Sequence, residues 1–158
     1  MGVEIERKFL VDHEKWKKLE KPPGIKYRQG YLLSEEQRTI RIRVTSEQGF
    51  ITFKGATTSI TRDEYEYKIP VEDANHLLDA FALSEVAKLR YRINFAGKLW
   101  EVDEFSGDNE GLIMAEIELR HEDEKFSLPP WVTMEVSADK RYYNSCLSVN
   151  PFKNWGRS

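Results

Sequence analysis

Glu4-Ile5-Glu6-Arg7-Lys8-Phe9-Leu10-Val11 opens with an alternation of charged and apolar residues that Arg7 interrupts and that ends at Lys8-Phe9. Successive side chains of a β-strand point to opposite faces, so Glu4, Glu6 and Lys8 share one face while Ile5, Arg7 and Phe9 share the other. Two carboxylates beside one ammonium suit a site that holds a divalent cation and a polyphosphate together. Glutamate oxygens are hard donors for the metal, and lysine is a point charge for phosphate oxygens. A solvated outer sheet face is the plainer alternative.

The same parity recurs along the chain. Arg41 and Arg43 alternate with Ile40, Ile42 and Val44, and Lys54 shares a face with Thr52 opposite Ile51 and Phe53. Glu64, Glu66 and Lys68 oppose Tyr65, Tyr67 and Ile69; Lys88, Arg90 and Arg92 oppose Leu89, Tyr91 and Ile93. Glu101 and Asp103 flank Val102, and Glu116 and Glu118 flank Ile117. The signs are segregated by strand, and like charges two apart on one strand repel unless a counter-charge lies between them. Arginine, whose planar fork grips phosphate oxygens in pairs, leads lysine on two of the basic strands. A charged internal site and a wet face both remain compatible with parity alone.

Nine segments with a period of two lie near residues 3–11, 26–33, 38–45, 49–55, 63–69, 88–95, 98–104, 113–119 and 132–136. Short links such as Ser46-Glu47-Gln48-Gly49 and Ala96-Gly97 join several of them as antiparallel hairpins. A helix over about 12–20 takes Asp12 as its N-cap and stops before Pro22-Pro23. A second, over about 72–83, carries Ala74, Leu77, Leu78 and Phe81 as an apolar stripe. A short third covers 139–148. Many antiparallel strands in a small domain close into a barrel or pair as a sandwich.

The chain has 158 residues, enough for one domain with a real core. Its 24 Lys and Arg nearly balance 27 Asp and Glu, which gives no broad basic surface for nucleic acid and no attraction to membranes. No stretch approaches the roughly 18 apolar residues of a membrane span. The chain enters a strand by residue 3, which leaves no room for a secretory leader, and its single Cys146 fits a reducing cytoplasm. His13, His76 and His121 share no ligand spacing and read as surface positions.

Taken in order, Glu4-Ile5-Glu6-Arg7-Lys8, Arg41-Ile42-Arg43, Thr52-Phe53-Lys54-Gly55, Glu64-Tyr65-Glu66, Lys88-Leu89-Arg90-Tyr91-Arg92, Glu101-Val102-Asp103 and Ala115-Glu116-Ile117-Glu118-Leu119 resemble the CYTH superfamily, the triphosphate tunnel metalloenzymes. Lys140-Arg141-Tyr142-Tyr143-Asn144 resembles the tail of the short bacterial single-domain members. The resemblance spans about residues 3 to 147. It implies a single domain over 1–158 with a C-terminal tail from about 139. The implied architecture is an eight-stranded antiparallel closed β-barrel, mainly β within the α+β class, with a few helices packed outside and a charged lumen.

By the same resemblance, Glu4, Glu6, Asp103, Glu116 and Glu118 hold Mg²⁺ or Mn²⁺. Lys8, Arg41, Arg43, Lys54, Lys88, Arg90, Arg92 and Lys140 bind phosphate, and Glu64 and Glu66 orient the basic residues. The implied catalytic set is Glu4, Glu6, Lys8, Glu116 and Glu118. The expected activity is metal-dependent hydrolysis of inorganic tripolyphosphate by a cytoplasmic monomer or homodimer. Adenylyl cyclase, thiamine or nucleoside triphosphatase, and a non-catalytic polyphosphate-binding module are the alternatives. The expected partner is a small-molecule polyphosphate, and the inorganic one is preferred because the sequence shows no clear aromatic platform for a base.

Overall fold

In the computed structural model, which describes residues 2–156, nine antiparallel strands form one sheet that curls and closes on itself. They are β1 (Gly2–Val11), β2 (Ile25–Ser34), β3 (Arg38–Thr45), β4 (Gln48–Gly55), β5 (Thr61–Ile69), β6 (Ser84–Phe95), β7 (Lys98–Phe105), β8 (Ile113–Glu118) and β9 (Val132–Glu135). The order is β5-β4-β3-β2-β6-β7-β8-β1, and β5 pairs back onto β1 through Gly2–Ile5, so eight strands make a closed barrel. The ninth, β9, adds to the far end of β1 at Phe9 and Val11. Closure removes the free edges that an open sheet would expose.

Local sequence explains the hairpins. Ala96 and Gly97 both adopt positive φ (49° and 79°) between the paired Phe95 and Lys98, the backbone a two-residue hairpin turn needs. Gly49 has a different role. A Cβ there would lie 2.6 Å from the Ala74 Cβ, so its missing side chain lets a helix sit directly on β4.

Three helices pack on the outside: α1 (His13–Lys18), α2 (Val71–Phe81) and α3 (Asn144–Val149). Asp12 caps α1 by accepting a hydrogen bond from the Lys15 N–H at 3.0 Å, and Trp16 is buried beneath it. Ala74 and Leu78 bury α2 against Ile42. Phe81 leaves the expected stripe: it stands at the last turn, beyond the barrel surface, and is exposed. The expected helix over 139–148 is broken. A 3₁₀ turn at Lys140–Tyr142 is followed by Tyr143 in extended conformation, and only then does α3 begin.

The apolar core falls in three clusters, the first and third outside the barrel wall and the second inside one end of it, because Val86, Phe105 and Met114 share the inward parity of Lys88, Asp103 and Glu116. One joins Phe9, Trp16, Trp100, Val102, Ile117 and Trp131 under α1 and the 126–131 segment. A second packs Val86, Phe105, Met114, Tyr142 and Leu147 under the C-terminal tail, and the third lies under α2. Trp100 and Trp131 are spent in the first cluster, with ring centroids 6.1 Å apart. Beyond that inner apolar plug, the inward parity of the strands is left largely to charge.

Candidate active site

Eight Lys and Arg side chains and seven Glu side chains line a single lumen of about 240 Å³. Of the expected phosphate contacts, Lys8, Arg41, Arg43, Lys54, Lys88, Arg90 and Arg92 all face it; of the expected acids, Glu4, Glu6, Glu116 and Glu118 do. Glu64, Glu66 and Glu101 complete the carboxylates. Position follows from register. Lys8 faces Glu116 across β1 and β8, Glu6 faces Glu118, Arg90 faces Asp103, and Lys54 faces Glu64.

These pairs are close. Lys8 Nζ lies 3.3 Å from Glu116 and 3.8 Å from Glu6. Lys54 Nζ reaches Glu4 at 3.1 Å and Glu64 at 3.4 Å. Arg43 Nη2 donates to Glu66 at 2.9 Å, and the Thr52 hydroxyl accepts from Arg41 and donates to the same carboxylate. Arg90 is the hub: it grips Asp103 with two nitrogens at 2.7 and 2.8 Å and Glu116 at 2.9 Å, and lies 3.3 Å from Glu101. Burying so many ions does little for stability, because desolvation cancels much of the Coulomb gain. Their retention points to a ligand of high charge.

The carboxylates divide into two kinds. Burial alone would raise Glu4, but Lys54 and Arg62 overcome it and hold the group at about 2. Glu116 is likewise driven down against burial by Lys8, Arg90 and Lys88. Glu6 goes the other way. Burial, then the negative charges of Glu116 and Glu4, push it up to about 8. Glu118 is raised by burial and by Glu4, Glu64 and Glu101. Glu6 and Glu118 are register partners, so two facing carboxyl groups are those whose ionised forms the lumen's own cations favour least. A divalent cation between them would favour the ionised forms and take their hard oxygens as donors. Among the described residues no three His, Cys, Asp or Glu side chains form a ready-made metal cage. A hydrated Mg²⁺ needs only one or two carboxylates, so the two facing groups are a sufficient start.

Two expected residues stand apart. Asp103 is fully buried with both oxygens engaged, Oδ1 by Arg90 and Oδ2 by Arg90 and Lys88, so it anchors cations instead of facing the lumen. Lys140 is exposed and pairs with Glu36 at 3.0 Å, outside the lumen lining. Among the lining residues that were missed are Arg62 and Asn144. Arg62, 3.4 Å from Glu4, sits one step before the expected start of β5, and the parity of Glu64 and Glu66 extended backwards would have found it. Asn144 accepts from Lys88 at 3.0 Å and from Gln29 at 3.3 Å, and the expected continuous helix hid it.

The two ends of the lumen differ. The loops at 34–38, 56–60 and 82–84 lie at one end, where α3 and the tail cross, with Asn144 and Ser145 in the lining. At the other end the wall opens to a larger cleft through Tyr27, Arg43, Glu66 and Arg92. Tyr27 and Tyr31 are the aromatic residues of the lining, and both are buried. The Tyr27 ring is flanked by Arg43 at 5.2 Å and Arg90 at 5.1 Å.

A closed antiparallel barrel with a lumen of opposed cations and carboxylates defines a tunnel protein for polyanions. The chain belongs to the CYTH domain family, whose model matches residues 2–146. It is 49% identical over 156 residues to an inorganic triphosphatase of Acetivibrio thermocellus, covering 98% of this chain and 99% of that one. It is 36% identical over 152 residues to an inorganic triphosphatase of Nitrosomonas europaea, covering 94% and 98%. A crystal structure of an inorganic triphosphatase aligns with a TM-score of 0.65 at 34% identity, over 92% of this chain and 94% of that one.

Proposed function

We propose that this protein hydrolyses inorganic tripolyphosphate to pyrophosphate and orthophosphate in the barrel lumen, with Mg²⁺ or Mn²⁺ as cofactor. The observation that carries the reading is one lumen in which eight cations stand with a facing carboxyl couple, Glu6 and Glu118, placed to take a divalent ion beside a polyanion. Relatives of nearly the same length named inorganic triphosphatases support it.

In this reading, Arg41, Arg43, Lys54, Lys88, Arg90 and Arg92 exchange carboxylate partners for phosphate oxygens. Nε of Arg41 and of Arg43 is buried with no partner within the protein, which leaves donors for an anion. Glu6 and Glu118 hold the divalent ion, with Glu4 and Glu116 joining as their cations turn to substrate. Bound there, the ion supplies charge neutralisation and an activated water. Asp103 keeps Arg90 and Lys88 aimed inward. The water oxygen joins a terminal phosphorus, and the bridging P–O bond breaks. Pyrophosphate leaves with the electron pair, and a product phosphate oxygen takes up the water's proton. Fixed Lys and Arg charge stabilises the leaving group, the dominant contribution in phosphoryl transfer. Inorganic substrate is favoured because both tyrosines of the lining, Tyr27 and Tyr31, are buried, and the Tyr27 ring already meets the Arg43 and Arg90 guanidinium groups.

The test is phosphate release from tripolyphosphate with Mg²⁺ or Mn²⁺, with and without chelator, in the parent and in Lys8→Ala and Glu6→Ala. Metal-dependent release, lost in both variants, is expected. No release from tripolyphosphate, or cyclic AMP formed from ATP, overturns the reading.

A further inference from the structure

At the capped end of the lumen the barrel wall is incomplete beside β1. On that side β5 pairs only with Gly2–Ile5, and β9 begins at Phe9 and Val11. Across the gap, the Glu6 N–H bonds the Ile60 carbonyl at 3.1 Å, and the Lys8 N–H donates to the Ser137 hydroxyl at 2.9 Å. A side chain and a loop stand where a strand would be. A second cleft of about 30 Å³ lies at this seam, walled by Thr57, Ser59, Ile60, Ser137 and Tyr143 and sharing Glu4, Glu6, Lys8 and Arg62 with the lumen. The exposed Ser59 stands at its rim, and the Tyr143 ring lies over Lys8 at 5.4 Å and Arg62 at 5.8 Å.

The dimensions decide what passes. A water needs roughly 10–15 Å³ of such space and two to four polar partners. The cleft has room for about two waters, and the hydroxyls of Thr57, Ser59 and Ser137 give it a polar lining. A polyphosphate chain does not fit. The broad mouth at the Arg43 and Arg92 end is the way in for substrate, and a bound polyanion fills the path that water would otherwise share. Resting on the hydrolase reading, we propose that the seam at Thr57, Ser59, Ser137 and Tyr143 is a back port that resupplies water to the Glu4–Glu6–Lys8 end of a substrate-filled lumen. These are positioning residues: they touch neither substrate nor reacting atoms.

The port can be narrowed on a folded protein. Thr57→Cys, in a Cys146→Ser background, is modified in separate samples with methyl- or benzyl-methanethiosulfonate, whose S-alkyl group passes to the thiolate with loss of methanesulfinate and leaves a small or a large mixed disulfide in the cleft wall. Expected is near-parental activity before modification, then a kcat for tripolyphosphate that falls with adduct size, about tenfold or more for benzyl. KM stays unchanged, and dithiothreitol restores the rate. A benzyl adduct that leaves kcat unchanged, or a loss shared by KM, overturns the port while leaving the hydrolase intact. An unmodified protein that releases no phosphate from tripolyphosphate overturns both, so the two failures are distinguishable.

Discussion

Asp103→Asn separates an anchoring role from a metal-binding one. The carboxylate accepts from Arg90 at 2.7 and 2.8 Å and pairs with Lys88 at 2.8 Å, and it is fully buried. Breaking a buried pair by removing one partner costs about 3–5 kcal/mol, because the remaining charge is left uncompensated. Here the lower end applies. Glu116 and Glu101 still face Arg90, Asn144 still accepts from Lys88, and Lys88, already held down to about 8 by burial, can shed its proton. A loss of about 3 kcal/mol lowers Tm by about 6–12 °C for a domain of this size. Thermal unfolding followed by circular dichroism measures it. Tripolyphosphate without metal should recover more of that loss in the variant than it adds to the parent, since it pairs the freed cations. In turnover, KM for tripolyphosphate should rise while the Mg²⁺ concentration for half-maximal rate stays put. A Tm within about 2 °C of the parent, together with a tenfold higher Mg²⁺ requirement, would refute the anchoring argument and restore Asp103 as a metal ligand.

Other outcomes follow from the same geometry. Arg62→Ala removes one of the two cations holding Glu4 down and should raise KM for tripolyphosphate about tenfold, a loss of roughly 1.4 kcal/mol of binding. Steady-state kinetics reads it. Lys140→Ala should leave kcat/KM within twofold of the parent by the same assay, because its ammonium is exposed and partnered with Glu36 away from the lumen. Gly49→Ala forces its Cβ toward the Ala74 Cβ at 2.6 Å and the Ile69 carbonyl at 3.1 Å, so α2 must shift, at a cost of about 1–3 kcal/mol in urea unfolding.

The strands were legible because one face of each is charged and the other apolar, and that contrast survives in a single sequence. Arg41, Arg43, Lys88 and Arg90 were placed by parity before any contact was known, and the registers put them where parity required. Strand order was less legible. Nothing local in β2 says that its second neighbour is β6 and not β1, because that choice is made by packing of distant surfaces. Arg62 escaped because a strand end frays in the pattern, and Asn144 because helix periodicity does not mark the extended residue, Tyr143, that breaks the run. Asp103 has the right parity for the lumen yet faces its own neighbours: parity gives a side chain's direction, but the number of cations within reach decides whether it stays free.

Because two of the three apolar clusters sit on the outer surface of the wall and the other only plugs one end of it, most of the residues that hold the barrel shut are different from those that line the charged lumen. An ordinary globular enzyme carves its pocket out of the packing that folds it, so each change of specificity taxes the fold. Here a lumen side chain away from the inner plug of Phe105 and Met114 can be exchanged for another of similar size with little disturbance of the hydrophobic contacts. The interior of this barrel is a surface that can be re-lined, for longer, shorter or differently charged anions, while the scaffold around it stays the same.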